Sequence, residues 1–172
     1  MFCIDEVVVH PNSGVCRISD IRTERFASSA EKYYVLSPVF STSPTRIYVP
    51  VSGNRIKLRY PLSKQAVLSA IDSSLSVKAQ WLDDEKERNE RFSSVLREKE
   101  PTAIIEMICE LHKKRIERAS EGKKLKSNDE KILSEAEKLI HLEFAYVLGI
   151  DPDNVAKFIM NRLNIEDETK AG

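Results

Sequence analysis

The residues best suited to chemistry in this chain are its three histidines and three cysteines. Cys3, His10 and Cys16 fall on neighbouring predicted strands and could in principle surround a metal. Zinc-type sites are usually built from short-spaced ligand pairs, and the chain has no CxxC. The plainer reading is two small packed thiols and an imidazole beside a turn. His141 and Glu143 lack the HExxH spacing that sets two imidazoles and a general base on one helix face. His112 falls on an apolar helical stripe with no serine, cysteine or carboxylate at a readable spacing, which suits a boundary histidine better than a base. Five glycines are scattered singly, so no loop is built to cradle a phosphate. The expectation is a protein that is not an enzyme, with no catalytic residue, metal, cofactor or small-molecule substrate.

Binding chemistry is more visible. Lys113, Lys114, Arg115 and Arg118 end one predicted helix, and Lys123, Lys124 and Lys126 follow in a loop. Such a cluster has two readings. It is either a solvated helix end whose cations answer the helix dipole, or a patch for phosphates that binds nucleic acid weakly and with strong salt dependence. Trp81, the only tryptophan, stands where the chain changes character. Its indole can bury against the protein as glue between domains or be presented outward to a partner.

The elements that must position these residues fall into two sets. Before Trp81 the pattern is mainly β. Glu6–His10 is β-branched and runs into the turn Pro11-Asn12-Ser13-Gly14, after which Val15–Ile18 returns. Arg25–Glu31, including Ser28 and Ser29, reads as a hairpin tip, Lys32–Leu36 as the next strand and Ser37–Pro44 as a loop. In Thr45–Val51, alternation puts Ile47, Val49 and Val51 on the core face and leaves Arg46 and Tyr48 outward. Short strands so closely spaced predict a small curved antiparallel sheet or barrel.

After residue 61 the period is helical. Helices are expected at 63–75, 83–99, 102–119, 128–148 and 152–164. Ser63 caps the first, which carries Val67, Leu68, Ile71 and Leu75. Phe92, Val95 and Leu96 are the thin apolar contribution of the second. Ile104, Ile105, Ile108, Leu111, His112 and Ile116 form the stripe of the third, which Pro101 opens. Ser127-Asn128-Asp129-Glu130 reads as a capping box for the fourth, with Ile132, Leu133, Ala136, Leu139, Ile140, Phe144, Val147 and Leu148 inward and Gly149 as its stop. Asp151-Pro152 opens the last, with Val155, Phe158, Ile159 and Leu163 inward, and the tail from Glu166 is expected to fray.

A length of 172 residues suits one or two small domains. Formal net charge of zero argues against bulk polyelectrolyte binding, though local patches remain open. The odd cysteine count favours a reducing compartment. No cationic leader with an apolar run is visible, and no apolar run reaches membrane-spanning length, so a cytoplasmic protein with no membrane partner is expected.

Several stretches resemble the CarD family of bacterial transcription regulators. Asp5-Glu6-Val7-Val8-Val9-His10-Pro11-Asn12-Ser13-Gly14-Val15 is similar to the family's opening, where a Gly-Asp pair precedes a valine-rich strand and a Pro-x-x-Gly turn. Asp5-Glu6 stands for the Gly-Asp pair and His10 for the usual tyrosine. Tyr33-Tyr34-Val35-Leu36, Ile47-Tyr48-Val49-Pro50-Val51 and Leu58-Arg59 continue the likeness. Trp81 to Phe92, Gly122-Lys123-Lys124-Leu125 with Asp129-Glu130, and Glu143-Phe144-Ala145-Tyr146-Val147-Leu148-Gly149-Ile150 resemble the variant common in Gram-positive anaerobes.

The resemblance implies an α+β protein. Residues 1–60 would form a Tudor-like antiparallel β barrel or sheet, shared with the transcription-repair coupling factor, that docks on the β subunit of RNA polymerase. Residues 61–172 would form an all-helical domain reaching promoter DNA at the upstream edge of the melted bubble. The polymerase-binding residues implied are Arg22, Phe26, Arg46 and Tyr48. The DNA-binding residues implied are Trp81 as a minor-groove wedge, with Arg88, Arg91, Lys113, Lys114, Lys123 and Lys124 as phosphate contacts, weak and largely non-specific. Such a protein acts by shifting the open-complex population. The chain departs from the family twice. Leu82-Asp83-Asp84-Glu85 stands where better-studied members carry arginines, and Tyr48 replaces a polymerase-facing arginine, with Arg46 the nearest substitute. The competing expectation is a protein-only adaptor whose helical half packs or dimerises without touching DNA.

Overall fold

Turn chemistry lays down the first hairpin. Strand β1 (Val7–His10) reverses into β2 (Gly14–Glu24), and Gly14 takes φ +69°, the left-handed conformation that glycine adopts without strain. The His10 ring secures the turn, since its Nδ1 accepts from the backbone N–H groups of Asn12 (3.2 Å) and Ser13 (3.1 Å). Strands β3 (Glu31–Pro38) and β4 (Ile47–Pro50) follow, and the antiparallel sheet runs in the order β1-β2-β3-β4. Val9 and Arg59 exchange backbone hydrogen bonds of 2.7 and 3.4 Å along the outer side of β1, which blunts that edge. The computed structural model describes residues 1–26, 29–53, 55–74 and 81–163. The chain divides into two units, Met1–Leu62 and Ser63–Gly172. A four-stranded sheet followed by helices is an α+β arrangement, Tudor-like and then helical.

The core of the β unit is Val8, Cys16, Ile18, Tyr34, Leu36 and Val49, with Phe2, Ile21, Ile47, Val51, Ile56 and Leu58 packed against it. Burial pushes the Cys16 thiol up to about 11, so it behaves as a small inert hydrophobe. Cys3 is exposed. Among the described residues no three His, Cys, Asp or Glu side chains gather to hold an ion.

One irregularity decides which side chains face outward. The register of β2 on β3 slips between Ile18 and Asp20, which oppose the adjacent residues Leu36 and Val35. Ser19 is the extra residue, and its hydroxyl donates to the Val35 carbonyl at 3.0 Å. A bulge of this kind exchanges the two faces of a strand beyond it. Before it the even residues Cys16 and Ile18 point into the core. After it the odd residue Ile21 does, in line with Tyr34 and Val49, while Arg22 lies opposite Tyr33 on the outer face. Deleting Ser19 removes the bulge but keeps Ile18 opposite Leu36, Asp20 opposite Val35 and Ile21 opposite Tyr34, so plain alternation still turns Ile21 inward and Arg22 outward. The deletion is therefore expected to be mild, about 0.5–1.5 kcal/mol for the lost hydrogen bond to Val35. A thermal melt that shows loss of the β unit would contradict this reading of the bulge.

The second unit starts at Ser63, whose hydroxyl accepts from Ala66 N–H at 3.1 Å and caps α1 (Lys64–Ser73). Helix α2 (Glu85–Glu98) is capped by Asp84, accepting from Glu87 N–H at 2.9 Å. Helix α3 (Pro101–Ser120) buries Ile104, Ile105, Met107, Ile108 and Leu111. Ile116, expected on that stripe, is 43 % exposed. There α3 meets the first turn of the next helix through a charged pair, Arg115 to Glu130. Helix α4 (Ser127–Leu148) buries Ile132, Leu133, Ala136, Ile140, Phe144 and Ala145, while Leu139, Val147 and Leu148 are only half-buried. Gly149 ends it at φ +67°.

The expected capping box is absent. The N-cap position of α4 is Lys126, which makes no side-chain cap bond. The acids that could face the free N–H groups are drawn elsewhere, Asp129 to Arg88 and Glu130 to Arg115. Asp151 accepts from Asp153 N–H at 2.9 Å and opens a 3-10 turn, Pro152–Asn154, that leads into α5 (Val155–Arg162). Val155, Ile159 and Leu163 are buried, and Phe158 is half-buried. Arg162 grips Asp72 of α1 with bonds of 2.6 and 2.7 Å. The expected Ser28 of the hairpin tip, Leu75 at the end of the first helix, residue 164 of the last and the tail from 166 lie outside the described residues. No helix among the described residues is long and apolar enough to cross a membrane.

Between α3 and α4, His112 Nε2 lies 2.9 Å from Glu137 Oε1. Burial pushes Glu137 up, but the His112 hydrogen bond and the nearby positive charges outweigh it and leave the carboxyl below its usual range. Burial holds His141 below its ordinary 6.5, against the pull of Glu137 and with the push of His112. A histidine that charges less readily when folded loses stability as pH falls, from the unfolded value near 6.5 down through its depressed folded value. The urea midpoint is therefore expected to fall between neutral pH and about pH 5.5. In His141→Gln that fall should be shallower, and an equal slope in the variant would rule out His141 as its source.

Candidate functional site

Each unit carries one candidate surface. On the β unit, the bulge at Ser19 brings Arg22, Tyr33 and Tyr48 to the face opposite the core, and Phe26 joins them from beyond the end of β2. Phe26 stands edge-on to Tyr33 and to Tyr48, with centroids 5.1 Å apart in both cases. Tyr33 and Tyr48 meet at 6.5 Å. Arg22 Nη2 donates to the Tyr48 hydroxyl at 2.5 Å, its Nε lies 2.9 Å from Glu24 Oε1, and its guanidinium carbon sits 5.5 Å from the Tyr48 ring centre. The result is a rigid aromatic platform with one guanidinium fixed beside it. Phe26, at its crown, is 60 % exposed, a large apolar area that a folded chain leaves in water at a cost.

Of the residues expected on the polymerase face, Arg22, Phe26 and Tyr48 are thus brought together. Arg46 is exposed, one residue before β4, and is not among them. Tyr33 belongs to the platform and was not singled out. Its aromatic neighbours were legible, but its cross-strand partner Arg22 depends on the bulge, which leaves no simple sequence signature.

On the helical unit, Trp81 is half-buried. Its ring meets Phe92 edge-on at 6.4 Å, the Arg88 guanidinium carbon at 4.5 Å and Lys114 Nζ at 5.2 Å. It lines a cleft of about 140 Å³ with Ser74, Cys109, Lys113, Lys114 and the carboxylates of Glu106, Glu110 and Glu117. Burial pushes the Cys109 thiol up, against the opposing effect of its hydrogen bond with Ser74.

Arg88, expected as a phosphate contact, is no such group. It is 1 % exposed, and it donates from Nε and Nη2 to the two oxygens of Asp129 at 3.1 and 3.0 Å. Its Nη1 donates to the carbonyls of Leu82 (2.8 Å) and Asp83 (3.3 Å). A guanidinium so surrounded has no face left for a nucleic acid. Arg91 is paired with Glu110. Lys114 lies 3.0 Å from Glu117, and Lys123 lies 3.0 Å from Glu121. Lys113 and Lys124 are exposed, and the Lys124 carbonyl accepts from Arg118 at 2.8 Å. The basic cluster is therefore laced with carboxylates, and Trp81 is its most distinctive feature.

Residues 2–64 match the family model described as CarD-like/TRCF RID domain. The N-terminal unit is accordingly a CarD-like RNA-polymerase-interacting domain. The match spans the β unit and ends at the first residue of α1. No curated protein matches the chain.

Proposed function

We propose that this protein is a bacterial, cytoplasmic transcription regulator without a reaction of its own. Its β unit holds the β subunit of RNA polymerase through Arg22, Phe26, Tyr33 and Tyr48. Its helical unit presents Trp81 to promoter DNA at the upstream edge of the melted bubble, and together they alter open-complex stability. The observation that carries this reading is the exposed Phe26, standing on two tyrosines beside a fixed arginine, on a unit that matches an RNA-polymerase-interacting domain. Aromatic and arginine anchors are what alanine scans find at the centre of protein interfaces.

For the DNA half, the support is a half-buried indole with cations against it. Glutamates lining the same cleft repel phosphates, so the DNA contact is weak alone and effective once polymerase supplies the proximity. The effect on initiation follows from binding one promoter state better than another. The likeness of Glu143–Ile150 and its neighbours to the Gram-positive anaerobe variant is part of this proposal.

The test is the lifetime of competitor-challenged open complexes with parent protein or Trp81→Ala. The parent should change the lifetime, and the variant should lose most of that change while still binding polymerase. A variant that acts like the parent contradicts the DNA half. The adaptor reading has one observation in its favour, the pairing of Arg88 and Arg91 with carboxylates. Under it both proteins leave the lifetime unchanged and bind polymerase equally.

A further inference from the structure

The buried ion pair behind Trp81 has a shape that packing alone does not require. Arg88 and Asp129 each have side chains only 2 % exposed. Taking both charges out of water is costly, and apolar side chains of the same volume would join α2 to α4 at least as well. What an apolar pair could not do is hold the residues after Trp81. Arg88 fixes the Leu82 and Asp83 carbonyls and sets its guanidinium 4.5 Å from the indole centre. Its planar fork serves the carboxylate, the two carbonyls and the ring at once, which the single ammonium of lysine does not reproduce.

We propose that Arg88 and Asp129 are positioning residues that set the pose of Trp81, with Asp129 orienting the guanidinium and Arg88 transmitting that orientation to the 81–83 segment. The effect on DNA rests on the proposed DNA role of Trp81, but the positioning itself does not.

Because Trp81 is the only tryptophan, its fluorescence reads the pose directly in the full-length protein. The double variant Arg88→Met with Asp129→Leu keeps a packed α2–α4 contact without the fork. It is expected to unfold near the parent midpoint, yet Trp81 should be about twice as accessible to acrylamide once the guanidinium leaves its ring. Its contribution to binding forked promoter DNA in the polymerase complex should drop roughly tenfold, about 1.4 kcal/mol. Arg88→Lys, which keeps the charge and so the pairing, should show the same Trp81 signature and serves should the double variant not fold. A folded variant with parental quenching overturns the proposal, as does parental quenching in Arg88→Lys. If quenching changes while Trp81→Ala has no effect on DNA, the positioning stands and the DNA reading of Trp81 falls.

Discussion

Asp129→Ala is expected to lower the stability of the helical unit by about 3–5 kcal/mol, the usual consequence of stripping a buried charge of its partner. The carboxylate takes two hydrogen bonds from a guanidinium that is almost wholly withdrawn from water. Without it, Arg88 keeps two backbone carbonyls and the indole, which hold the group but do not neutralise it. Arg88→Ala should cost a similar amount, since it orphans a buried carboxylate and removes the stem that packs α2. Urea unfolding followed by helical circular dichroism reads both. A loss below about 1 kcal/mol would mean that water reaches the pair and that it behaves as a surface bridge.

The second large effect is on binding. Phe26→Ala is expected to weaken the proposed contact with the polymerase β subunit by about 2 kcal/mol, roughly thirtyfold, as for an aromatic anchor at an interface centre. The side chain is 60 % exposed in the free protein, so its removal should leave the thermal midpoint nearly unchanged, and the loss would be specific to binding. Tyr48→Phe removes only the hydroxyl that Arg22 grips at 2.5 Å and keeps the ring under Phe26. It should cost about 0.5–1.5 kcal/mol, the net worth of one hydrogen bond. A titration in which Tyr48→Phe exceeds Phe26→Ala would shift the centre of the interface from the aromatic crown to the guanidinium.

Much of this architecture was legible from local signals. The Pro-Asn-Ser-Gly turn, the outward Tyr48 beside inward Ile47 and Val49, the caps at Ser63 and Asp151 and the stop at Gly149 each follow from one residue's backbone or side-chain preference, and each is found. The bulge at Ser19 was not legible, because a serine in a strand is unremarkable and the slip exists only in the pairing with β3. For the same reason Tyr33 could not be joined to Arg22. On the helical unit the errors have a common origin. A sequence presents Arg88 as a free cation and Asp129-Glu130 as cap acids, because their mutual distance across α2 and α4 is not written locally. Glu130, drawn to Arg115, is lost to the capping box, and Arg88, held by the inward Asp129, is lost as a phosphate contact. Ile116 failed differently, since helical period reports a face but not where along the helix the neighbour's apolar surface ends.

The most direct test of the whole account is a titration of the full-length protein with the isolated polymerase β-subunit lobe by calorimetry, for the parent, Phe26→Ala and Trp81→Ala. The account predicts saturable one-to-one binding by the parent, the same affinity for Trp81→Ala, and a loss of roughly thirtyfold for Phe26→Ala. No binding by the parent, or parental affinity in Phe26→Ala, would contradict it.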